Sequence, residues 1–166
     1  MSYLERFIAT DNLIAHLSPI LSNLVDASIK ANYAGFISVS AITVYELAIK
    51  DIFIDFSQKK NPVFGAFVTK HFTNINGKIK IGDLRGQHIK LFGDKYLQKF
   101  DKKLKIRESI ILNRDRKSLH DCYENLITCR HKYVHGGNTT LSFEEVIDNY
   151  QIGKEVIHTL HEAMYR

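Results

Sequence analysis

A chain of 166 residues, 45% hydrophobic, with nine glycines and two prolines, is long enough to bury a core and too poor in turn formers for a disordered or collagen-like protein. Its formal net charge is +5, unevenly spread: residues 59–117 carry 16 basic and 5 acidic side chains, and the segments on either side are net acidic. No basic region followed by an apolar one opens MSYLERFIATDN, and the most apolar stretch, FISVSAITVYELAIKDIFIDF, is broken by Glu46, Lys50, Asp51 and Asp55, which argues against a signal peptide and a membrane span.

In chain order, Ser2 and Glu5 form a capping-box pattern, with Leu4, Phe7, Ile8, Ile14 and Leu17 at helical spacing. Pro19 suits the first turn of a continuation through Leu21, Leu24, Val25 and Ile29, and Gly35 breaks that pattern. Residues 38–57 are rich in β-branched side chains. Ile42, Tyr45, Ile49, Ile52 and Phe56 nevertheless recur at helical period over a length few strands reach, so a helix is expected. Asn61-Pro62 restarts the chain, and Val63, Phe64, Phe67, Val68 and Phe72 outline a short helix. The segment NINGKIKIGDLRG, residues 74–86, is the least helical and reads as a hairpin turn with a strand, or as a loop of alternating residues. A second short amphipathic run, Ile89 to Leu104, brings much of the positive charge with it.

From Arg116 onward, Leu119, Cys122, Leu126, Cys129 and Tyr133 hold a three-four spacing up to Gly136 and Gly137, which stop the helix. Ser142 caps a final helix with Glu144 and Glu145 in its first turn. Cys122 and Cys129 lie about 10 Å apart by helical rise, too far for a disulfide, and read as reduced core residues of a cytoplasmic protein. The expectation is an all-α, single-domain antiparallel helical bundle over residues 1–166, with an irregular basic middle.

Chemistry concentrates in CRHKYVHGGN, residues 129–138. Arg130 falls in an apolar stripe with Tyr123, Ile127 and Val134, where a guanidinium needs a carboxylate, a helix end or a bound phosphate. Beside it runs a polar stripe of Glu124, Thr128, His131 and His135. Histidine moves protons at neutral pH and arginine stabilises a phosphoryl transition state, a pairing suited to RNA cleavage by the ribose 2′-hydroxyl without a metal. Five residues at 100° leave Arg130 and His135 about 140° apart. They converge only if the last turn distorts, if long side chains compensate, or if a second subunit contributes. Two other readings stay open. In one, His131 and His135 cap the helix end while Arg130 forms a buried ion pair. In the other, His131 and His135 are two zinc ligands at i, i+4, although no further ligand cluster stands out. Phosphate loops of the GxxxxGK[ST] and GxGxxG types, a GxSxG elbow and CxxC pairs do not occur.

The stretch Arg130-His131-Lys132-Tyr133-Val134-His135, followed by Gly136 and the helix from Ser142, is similar to the R-x4-6-H motif of HEPN domains. The helix containing VYELAIKDIF and the irregular segment before the motif helix further resemble the RiboL-PSP type. The resemblance implies a metal-independent endoribonuclease that homodimerises, so that two Arg/His pairs meet in a cleft and no cofactor is needed. Arg130 would stabilise the phosphate, His135 would act as general acid/base, and His131, in the polar slot, would orient substrate or its neighbour. It also implies a toxin or defence effector with an antitoxin or an ATPase/sensor protein as partner. The family has non-catalytic members as well, so the alternative is a helical RNA- or nucleotide-binding or dimerisation module. Gly137 stands where some toxin subgroups carry a tyrosine.

Overall fold

Helix caps divide the chain at the places where short polar side chains satisfy free backbone N–H groups. In the computed structural model, which describes residues 2–73 and 77–165, the Ser2 hydroxyl accepts from the Leu4 N–H and opens a 3-10 turn, Tyr3–Phe7. This turn leads into α1, Ile8–Ser22. Pro19 lies inside α1 rather than at a new start. Lacking an N–H, it cannot bond the carbonyl a turn earlier, and α1 ends within the next turn.

The Asp26 carboxylate then accepts from the Ser28 and Ile29 N–H groups and caps α2, Ala27–Lys60. The break expected at Gly35 does not occur, because α2 passes straight through it. Glycine lowers helix propensity by about 1 kcal/mol, but a Cβ at this position would lie 2.1 Å from the Tyr133 ring. A packing contact made 98 residues later thus explains a residue that looks like a helix breaker. Val25 and Ile29, expected in the apolar pattern, are exposed.

Asn61 caps α3, Pro62–Phe72, with its side chain accepting from Val63 and Phe64. Asn74 to Asn76, where the hairpin turn was expected, lie outside the described residues. Among the described residues there is no strand; the KIKI segment has no regular structure up to Lys80, with Ile79 and Ile81 buried and Lys78 and Lys80 exposed. It runs into α4, Ile81–Asp83, a π-helical turn, Leu84–His88, and a 3-10 turn, Ile89–Phe92. The amphipathic run expected to end at Leu104 becomes α5, Asp94–Asp115, a longer helix closed by Arg116 in a left-handed conformation.

Ser118 caps α6, Leu119–Gly136, and α7 spans Phe143–Tyr165. Ser142 and Glu145 complete a reciprocal capping box, each side chain accepting the other's backbone N–H.

The core gathers around α2, which is buried on most of its circumference by α3, α6, α7 and the N-terminal turn. Its expected face, Ile42, Tyr45, Ile49, Ile52 and Phe56, is buried throughout; each such side chain contributes roughly 1.5–3 kcal/mol of gross burial. At the centre the Tyr45 ring stacks on Tyr123 of α6 at 5.5 Å and on Tyr150 of α7 at 5.7 Å. Gly153 makes room for the Tyr45 hydroxyl, which donates to the Tyr150 carbonyl. The contacts Gly35 to Tyr133 and Tyr45 to Tyr123 show that α2 and α6 run antiparallel. Cys122 and Cys129 are free thiols in this core.

Candidate active site

The end of α6 carries Arg130, His131 and His135, and its position is set from two sides. The Tyr133 ring packs against Gly35 of α2. Gly137, left-handed at φ 67°, donates its N–H to the Tyr133 carbonyl and closes the helix. Gly136 is still helical, so one glycine rather than two makes the stop. The helix is continuous to that point, and the last turn does not distort to swing His135 toward Arg130.

The segment Gly77–Ile81 is laid across α2 and α6 by bonds to its backbone. Glu46 Oε1 accepts from the Gly77 N–H at 2.9 Å, and Glu124 Oε1 accepts from the Ile81 N–H at 2.9 Å. The buried Tyr123 hydroxyl donates to the Ile79 carbonyl at 2.8 Å, and His88 Nε2 bonds the Lys78 carbonyl at 2.8 Å. Burial pushes the Tyr123 phenol well above its ordinary range, so it stays a donor. With Ile79 and Ile81 held in the core, alternation turns Lys78 and Lys80 outward.

The result is a cavity of about 480 Å³ with Ile42 and Ile127 among its walls and Lys78, Lys80, Arg130 and His131 around them. Arg130 is half-buried and has no hydrogen bond or ion pair among the described residues. The buried ion pair that a purely structural role requires is therefore not found among the described residues. His131 and His135 are exposed, their ring centroids 4.5 Å apart. Neither donates to a helix carbonyl among the described residues, so they do not cap the helix end by hydrogen bonds. His135 does not line the cavity; it adjoins it through His131. Arg130 and His131 therefore share one site within the chain, and His135 stands at its edge. Among the described residues no group of three or more His, Cys, Asp or Glu side chains is placed to hold a metal ion.

Sequence reasoning missed Lys78, Lys80 and the backbone-holding carboxylates Glu46 and Glu124. The KIKI alternation was the signal for the lysines, but only the tertiary bonds show which way they face. Four cationic or donor groups around an apolar-walled cavity, one of them an arginine with no carboxylate partner among the described residues, suit a phosphodiester: partial burial strengthens the attraction, and the guanidinium fork matches two phosphate oxygens.

A model of the RiboL-PSP-HEPN family matches residues 4–166. The chain belongs to the RiboL-PSP-HEPN family. No curated protein and no solved structure matches it. HEPN domains are frequently ribonucleases, and the helical architecture around the Arg130 end of α6 is that of an all-α HEPN domain. Among the described residues, no helix of this HEPN domain is long and apolar enough to cross a membrane.

Proposed function

We propose that this protein is a metal-independent endoribonuclease acting as a toxin or defence effector in the cytoplasm. The observation that carries the reading is Arg130, half-buried and without a carboxylate partner among the described residues, in a cavity shared with Lys78, Lys80 and His131. The ribose 2′-hydroxyl attacks its own phosphorus, the bond from phosphorus to the 5′-oxygen breaks, and the products carry a 2′,3′-cyclic phosphate and a 5′-hydroxyl. Arg130 neutralises the charge that builds on the phosphoryl oxygens, and the His135 imidazole removes the 2′ proton or delivers one to the leaving 5′-oxygen. His131, between them, orients the phosphate or the His135 ring.

The site is completed by a second copy of the chain. Exposed Phe36 and Val134 follow Gly35 and Tyr133 in sequence, beside the seat of the α6 end, and burying them in a homodimer would bring the partner's Arg/His set to the same cleft. A separate antitoxin or ATPase/sensor protein would restrain the activity.

Purified protein is expected to cut RNA in EDTA and leave 2′,3′-cyclic phosphate ends. Arg130→Ala and His135→Ala should each lower cleavage by about 10²–10³-fold, the range seen when one transition-state donor is removed, while circular dichroism shows an unchanged melt. A second reading, a non-catalytic RNA-binding module, is favoured by the position of His135 outside the cavity. Intact RNA after incubation, with salt-dependent binding, would select it.

A further inference from the structure

A second cleft, of about 550 Å³, opens beside the first and shares Lys78 with it. Its other walls include Phe67 and Lys70 of α3, Leu91 of the 3-10 turn, and His88. Two features set it apart from an ordinary surface hollow. Helix α3 buries Gly65, Val68 and Phe72, yet it turns Val63 and Phe67, 79% and 70% exposed, to solvent on its other side, and Leu91 is 62% exposed. Large aromatic and aliphatic side chains grouped in the open mark a contact surface. In addition, Lys70 and Lys78 have no carboxylate partner among the described residues, whereas Arg85, Lys103, Arg107, Arg114 and Lys117 of the basic middle are paired. His88 holds the Lys78 carbonyl and so fixes the residue common to both clefts.

We propose that this cleft receives the single-stranded RNA that leaves the Arg130 cavity, with one unpaired base stacked on Phe67 and its flanking phosphates held by Lys78 and Lys70. The inference rests on the ribonuclease reading for the direction of the strand, but its test is separate. An exposed aromatic ring between lysines is the chemistry by which single strands are bound without base-specific hydrogen bonds. A protein partner would also seek the apolar side chains, and an acidic one the lysines, but a cationic path from this cleft to an arginine cavity suits a chain of phosphates. The reading makes Phe67 a determinant of substrate length: a dinucleotide fills only the Arg130 cavity, and a longer single strand reaches the second cleft.

The test compares wild type with Phe67→Ala, Phe67→Tyr and Lys70→Ala. The binding probe is a fluorescent 2′-O-methyl oligoribonucleotide of about ten nucleotides, within the usual site size of single-strand binders and without a free nucleophile. Phe67→Ala should weaken its binding about tenfold, as loss of one base stack does, and Phe67→Tyr should restore it. Lys70→Ala should lower the salt slope by about 0.7, the value for one phosphate on a single strand. Dinucleotide cleavage in EDTA should be unchanged by Phe67→Ala. Equal affinity of Phe67→Ala and wild type, or a wild type that does not bind the probe, overturns the proposal. So does a Phe67→Ala protein that sediments at a different oligomeric state while keeping wild-type affinity, which would make the face a protein contact. Phe67-dependent binding without any RNA cleavage by wild type would defeat the ribonuclease reading and leave this one standing.

Discussion

Two faces of the molecule are rich in cations, and they differ in what the cations meet. Along α5, Lys103 bonds Glu162 of α7, Arg107 bonds both Glu155 and Glu162, and Lys117, just beyond the helix, bonds Asp148. On the face formed by Gly77–Ile81 and the end of α6, Lys78, Lys80 and Arg130 have no such partners among the described residues. The surplus counted over residues 59–117 is thus partly cancelled in space by the acidic last helix, while two of its unpaired lysines stand with Arg130 around one cavity. A charge count measures the chain; pairing decides which face attracts an anion.

The widest separation of the two faces is expected from replacing one arginine in each. Arg130→Ala should remove most RNA cleavage, as above, with no loss of stability, since no partner is left unpaired. Arg107→Ala should leave cleavage alone and cost no more than about 1 kcal/mol of stability, the worth of partly exposed ion pairs. Parallel cleavage assays and thermal melts check both, and loss of activity in Arg107→Ala alone would reverse the assignment of the faces.

Gly35→Ala attacks the framework beneath the open face. The added methyl collides with the Tyr133 ring, and overpacking of this kind costs about 1–3 kcal/mol. Because Tyr133 seats the turn that bears Arg130 and His135, cleavage should fall with stability; a variant of normal activity would show that α6 is positioned by the tyrosine stack alone. A smaller effect is expected from Lys78→Ala combined with Lys80→Ala. The slope of RNA affinity against salt should fall by about 1.4, two phosphates on a single strand, whereas Lys103→Ala should not change it.

What was legible in the sequence follows from the range of the interactions concerned. The caps at Ser2 and Ser142 and the restart at Asn61 are local, made to N–H groups two or three residues on, and with the three-four periodicity they suffice for an all-α reading. The apolar face of α2 and the free cysteines were equally plain. Gly35 and Pro19 misled because local propensity was overruled: a packed ring at Gly35, and at Pro19 a helix already near its end. The pairs that tie Lys103, Arg107 and Lys117 to α7 were invisible because their carboxylates lie 31 to 59 residues away. The Arg130, His131 and His135 cluster stood out by type and spacing, and the apolar stripe around Arg130 is present. The lysines that share its cavity could not be assigned, because what turns them outward is a set of bonds to Tyr123, Glu124, Glu46 and His88.

Acid tests both faces through one histidine on each, His88 buried and His158 half-buried. His88 Nε2 bonds the Lys78 carbonyl, which accepts, so this nitrogen carries the proton and Nδ1 is bare; Nδ1 is buried with no partner among the described residues. A second proton there would be a charge without an acceptor, and burial accordingly lowers the His88 pKa below its ordinary 6.5. His158 on α7, bonded to the Tyr3 hydroxyl, is lowered by burial in the same way. For both, the unfolded chain binds the proton first as pH falls. Stability from these groups is therefore complete above about pH 6.5 and declines as acid passes from that value toward the lowered folded pKa values. The melting temperature should drop between pH 7.5 and roughly pH 5, before most carboxylates titrate, and proton NMR of the two imidazoles should show midpoints below 6.5. A flat stability profile over that range would mean that neither imidazole is held neutral by the fold. His88 would then be free to charge without releasing Lys78 from the cavity edge.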